Sequence, residues 1–190
     1  MEERNASLKK NLDLLYQSTL AGVICILLMI IPLVNIIALV VALIAAIMVF
    51  VAMYRLRGMQ DDYHTAFMMS IINIALKLIG GMTGGWLESV IELISTAVVF
   101  AQTYYIICAT NSFLAQLGRD EVIERGRAAI KMYKINLVVS IAASILIQVV
   151  GNGILLLEGF LMIVSIVSLV VSIAAIVCYI KYLGAARECF

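Results

Sequence analysis

The stretch "INIALKLIGGMTGGWLESVIELIS", residues 72 to 95, sets Lys77 inside an apolar run and places Glu88 and Glu92 just beyond a cluster of glycines. An ionisable group within a membrane span costs on the order of 3 kcal/mol or more unless it is paired or wet, so it is a functional candidate by default. Lys77 has two readings. Its long stem can reach outward while Glu88 and Glu92, one helical turn apart, descend past the glycine tip at similar depth, which predicts an ion pair across the tip. In the other reading Lys77, Glu92 and Glu158 line an outward-facing polar vestibule. A second candidate lies in small residues, because membrane helices associate by close packing at Gly, Ala and Ser. Ala38, Ala42 and Ala46 form one stripe, and Ser165, Ser168 and Ser172 form another. Both read as packing seams, while Ser140 and Ser144 could join Ser165 and Ser168 in a water path.

Other chemistry has little material. A metal site needs three or four convergent His, Cys or carboxylate ligands, and the chain has one histidine and four cysteines. The run D-D-Y-H at residues 61 to 64 reads as a solvated loop at the cytoplasmic side, so neither metal nor cofactor is expected. Neither a GxSxG elbow, nor an HExxH pair, nor a phosphate loop is present, and an enzyme is not expected. The net charge of +1 gives no basic patch for nucleic acid.

The elements that must carry these residues follow from composition. With 64% apolar and 13% charged residues the chain is built for lipid. Charged residues gather at 2–13, 55–62, 119–134 and 181–188, and the stretches between are nearly uncharged. A span needs about 20 apolar residues, so the run from Leu14 to Tyr54 must turn back on itself. Pro32 to Asn35 supplies that turn, since proline removes a backbone donor and Asn tolerates turn conformations. The glycines of "GGMTGGW" and "GNG" break the two later runs. The prediction is an all-α integral membrane protein, one membrane domain over 1–190. Its six transmembrane helices form three tandem helical hairpins, approximately 11–58, 63–118 and 133–184.

Between the fourth and fifth spans, residues 118–134 predict a short amphipathic cytoplasmic helix. Val122, Ile123 and Ile130 would lie on the headgroups while Arg119, Arg125, Arg127 and Lys131 meet anionic lipid. Basic residues prefer the cytoplasm, and all of the 13 but Lys77 fall on one side of the six-span arrangement, so both termini are expected there. The first apolar run is not read as a signal peptide, because it continues into a second helix with no small-residue cleavage pattern. A repeat accompanies the hairpins: Y-x3-[LF]-x3-I recurs as Tyr16/Leu20/Ile24, Tyr63/Phe67/Ile71 and Tyr133/Leu137/Ile141. Each tyrosine is expected at the membrane interface.

The passages "RLRGMQDDYHTAFMMSIINI", residues 55 to 74, and "YYIICATNSFLAQLGRDEVIERGRAAIKMYKIN", residues 104 to 136, resemble a family of small bacterial six-span membrane proteins. The resemblance implies a bacterial inner-membrane location and brings no activity or ligand residues with it. Two classes of function fit these features. One is a small channel or the membrane subunit of a transporter for ions or small solutes. The other is an accessory, scaffold or immunity-type protein that acts through the lipid bilayer, a second copy of itself or another membrane protein.

Overall fold

The structure, a computed structural model, describes residues 2–28, 35–151 and 158–190. They form α1 (Glu2–Leu28), α2 (Asn35–Leu56), α3 (Asp61–Gly80), α4 (Trp86–Gln116), α5 (Asp120–Gly151) and α6 (Glu158–Arg187). Five of these, α2 to α6, are long and apolar enough to cross a membrane, the makeup of a multi-pass membrane protein. α1 differs because its first half carries Glu3, Arg4, Lys9, Lys10 and Asp13, and its apolar half begins only at Leu14. The expected turns at 32–35 and at "GNG" fall largely outside the described residues. The middle turn is described: α3 ends at Gly80, and α4 begins after Gly85, whose φ of 70° favours glycine.

Each helix packs most closely on its partner in the pairs α1–α2, α3–α4 and α5–α6. Further contacts of α2 with α3, α4 with α5 and α6 with α1 close the succession into a ring. At one point of the α3–α4 pair, a Cβ on Gly80 would come 3.1 Å from Ile91 Cγ2, so the helices approach closely just below their tip.

Burial is concentrated at the end of the ring where basic residues gather. Leu8, Leu12 and Leu15 of α1 meet Met53 and Leu56 of α2, Tyr63 of α3, Ile107 and Leu114 of α4, and Tyr182 and Leu183 of α6 in one core. Toward the other end, large apolar side chains such as Ile36, Leu78, Trp86 and Met162 are exposed on the single chain. That distribution suits a bundle whose outer surface is solvated by lipid and whose non-basic end is loosely filled.

Three expectations are corrected. The segment 118–134 is not a separate helix: α5 runs without a break from Asp120 into its apolar half. What separates it from α4 is a single left-handed glycine, Gly118 at φ 64°. There Arg119 N–H donates to Leu114 O at 3.0 Å and Gly118 N–H to Ala115 O at 3.1 Å, the Schellman pattern. Val122, Ile123 and Ile130 pack against the core instead of lying on headgroups. Asp61, Asp62 and His64 belong to the first turn of α3, not to a loop, and the two carboxylates there suit the positive end of the helix dipole. Of the repeat tyrosines, Tyr63 and Tyr133 are inside the core and only Tyr16 is half-buried.

Candidate functional site

Lys77 lies in the last turn of α3, where unpaired carbonyls carry partial negative charge, and Glu88 lies in the first turn of α4, where free amides carry partial positive charge. Each charge therefore has a helix terminus of opposite sign beneath it, and neither needs the other. Among the described residues the ion pairs are Arg125–Glu121, Arg127–Glu124 and Arg187–Asp13, so the expected bridge from Lys77 to Glu88 or Glu92 is not formed. Instead Lys77, Glu88 and Glu92 line one cavity of about 490 Å³, together with Ser95, Thr96 and, from α5, Ser144. Two carboxylates and one ammonium make its wall formally anionic.

Two smaller cavities adjoin it through shared walls. Lys77, Ser95 and Thr96 also face a space of about 150 Å³ bounded by Phe100, Tyr133 and Asn136. Ser144 also faces a space of about 380 Å³ between α5 and α6, lined by Ser140, Ser165, Ser168 and Ser172. The four serines read as a water path from sequence are thus brought around one cavity. The serine Oγ of residue 95 donates to Asn73 Oδ1 at 2.5 Å, tying α4 to α3, and Ser172 Oγ donates to Asn136 Oδ1 at 2.7 Å, tying α6 to α5.

Toward the basic end the seam gives way to a packed, hydrogen-bonded core. Tyr133, at the inner limit of the smallest cavity, sets its ring edge-on to Tyr179 at 6.0 Å. Beyond it the Tyr63 and Thr110 hydroxyls share a hydrogen bond of 2.8 Å, and Tyr182 O–H donates to Asn111 Oδ1 at 2.8 Å. Tyr63, Tyr182 and Leu183 are fully buried there and seal the ring.

The remaining candidates divide. Glu158 opens α6, but its side chain is outside the described residues. Ala38 is buried, Ala42 only partly and Ala46 exposed, so the seam on α2 runs instead through Ala38, Ala45 and Ala52, a spacing of seven. On α6, Ser165 is exposed and bonds its own helix at Leu161 O, whereas the Ser172 hydroxyl is within reach of both Ser168 O of its own helix, at 2.9 Å, and the Asn136 acceptor across the seam. Arg119, Arg125, Arg127 and Lys131 are exposed, and Glu121 and Glu124 engage Arg125 and Arg127. Among the described residues no three His, Cys, Asp or Glu converge as metal ligands.

Asn73, Ser95, Thr96 and Asn136 escaped the sequence reading, and Tyr133 figures there only as an interface residue. The amides carried the overlooked signal, since Asn in an apolar run must find a partner as surely as lysine does. Compared with known protein families, with characterised proteins and with solved structures, the chain matches none.

Proposed function

We propose that the chain is a non-enzymatic six-span protein of three tandem hairpins, and that its outward-facing vestibule serves the passage of an ion or small solute. It acts as a gated channel or as the membrane subunit of a transporter. α1 supplies the sixth span, because its apolar half from Leu14 continues in sequence through Ile31, close to the roughly 20 residues a bilayer requires. The distribution of basic residues supports cytoplasmic termini, and the resemblance to small bacterial six-span proteins supports an inner-membrane location.

One observation carries the reading: Lys77, Glu88 and Glu92 line a common cavity without pairing, and Ser144 joins it to a serine-lined cavity. Charges held apart around open space are what a polar passenger needs, and the excess of carboxylate favours a cation. The sealed basic end makes the passage gated rather than continuously open.

The test is flux of monovalent cations across vesicles containing the reconstituted chain. Glu88→Gln with Glu92→Gln should lower cation flux relative to anion flux. Absence of flux from the unaltered chain under every imposed gradient and potential would overturn the reading. It would favour the second one, an accessory or immunity-type protein acting through partner contacts, to which the sealed core already lends support.

A further inference from the structure

Far from the vestibule, residues of α1 and Arg55 of α2 line an open cavity of about 410 Å³ at the basic end. Lys9 and Lys10 of α1 and Arg55 of α2 stand around it, and Ala6 and Leu14 contribute apolar wall. Other cations nearby have aromatic or acidic partners. Arg4 lies over the Phe113 ring at 4.9 Å, Arg57 over Tyr54 at 3.9 Å, and Arg187 over Tyr16 at 4.1 Å while also reaching Asp13 at 3.3 Å. Lys9, Lys10 and Arg55 have neither an ion pair nor a hydrogen bond among the described residues, and all three are exposed. The one acid on the cavity wall, Asp13, is the one Arg187 engages.

Three cations therefore share one concave site whose own acid is partly neutralised from outside. Its depth along the chain is fixed by both helices: Lys9 and Lys10 lie about one helical turn before the apolar half of α1, and Arg55 sits in the last turn of α2. That level is where phosphates of a bilayer lie, and the Leu14 side faces toward acyl-chain depth. We propose that this cavity binds the phosphate of an anionic phospholipid, with Lys9, Lys10 and Arg55 on the headgroup and an acyl chain against Leu14. The site moves lipid recognition from the α5 segment, where Glu121 and Glu124 offset Arg125 and Arg127, to the α1–α2 groove.

The experiment uses the purified full chain in a neutral detergent, with lipid retention read by native mass spectrometry. Dioleoyl phosphatidylglycerol is compared with dioleoyl phosphatidylcholine, which has the same chains without net charge, and with inorganic phosphate as competitor. The unaltered chain should retain phosphatidylglycerol saturably and release phosphatidylcholine. The variant Lys9→Gln/Lys10→Gln/Arg55→Gln should bind phosphatidylglycerol about a hundredfold more weakly, and Arg119→Gln/Arg125→Gln/Arg127→Gln should bind it as the unaltered chain does. All six side chains are exposed, so neither variant threatens the fold, and equal melting midpoints check this. Undiminished binding by the first variant, or an equal loss in the second, overturns the site. Displacement of the lipid by inorganic phosphate at matching concentration overturns the acyl contact and leaves a free-phosphate site.

Discussion

Lys77 and Glu88 stand on opposite sides of the α3–α4 tip, one in a last helical turn and one in a first, and line the same cavity without forming an ion pair. Their relationship explains how charge persists in an apolar stretch. Each is stabilised by a helix terminus, a contribution of about 0.3–1 kcal/mol, and each keeps access to open space. A buried bridge would lock both charges and close the cavity.

Lys77→Met should accordingly leave detergent melting nearly unchanged, with stability altered by about 0.5 kcal/mol or less, as for other exposed positions. The effects of Lys77→Met and Glu92→Gln should add in the double variant, because residues that share no direct contact show little coupling. A double variant that recovers stability lost in the singles would show that a bridge does form in the membrane.

The amide-hydroxyl ties should behave differently. Ser172 and Asn136 are in contact at 2.7 Å, so Ser172→Ala and Asn136→Ala should be non-additive, with a coupling of about 0.6 kcal/mol. Thermal unfolding of the two singles and the double in one detergent measures it. Additive losses would mean that the hydrogen bond contributes nothing to the α5–α6 seam.

Much of this architecture was legible from charge clusters and glycines, which mark where helices start and stop regardless of packing. The tip at 81–85 and the company of Lys77, Glu88 and Glu92 needed only local sequence. The fate of residues 118–134 was not legible, because an apolar stripe of Val122, Ile123 and Ile130 looks the same whether it meets headgroups or a neighbouring helix. Gly126 decides it. Without a side chain there, α5 comes close enough to α4 and α6 for Asn111 and Tyr182 to occupy the space of a Cβ. The tyrosine repeat misled for a related reason: a ring with a polar tip suits an interface, but it also suits a core that offers Thr110 as partner, as it does for Tyr63.

Gly126→Ala tests that close approach. The added Cβ would lie 2.8 Å from Tyr182 and 2.9 Å from Asn111 Oδ1, and displacing both should cost about 1–3 kcal/mol, the usual range for overpacking. Gly184→Ala, 3.3 Å from the Tyr16 ring, should cost less. Gly84→Ala meets nothing within 4 Å and should be nearly neutral. Melting midpoints falling in that order support the packing of α5 onto the bundle, and a neutral Gly126→Ala would detach its first turns from the core.

The six-span topology makes the last prediction, and the two turns that bound α4 are the places to test it. Thr83 lies in the α3–α4 tip and Asp120 opens α5 after the Gly118 turn, so α4 alone separates them. With Cys25, Cys108, Cys178 and Cys189 replaced by alanine, a cysteine at Thr83 should react with an impermeant maleimide on intact cells. A cysteine at Asp120 should react only after permeabilisation. Both follow from an even number of spans with the basic clusters inside, since Arg119, Arg125, Arg127, Lys131 and Lys134 flank Asp120 while the Thr83 tip carries no basic residue. Labelling of Asp120 from outside would invert the orientation. Labelling of both positions from the same side would mean that α4 does not cross, and the six-span proposal would fail with it.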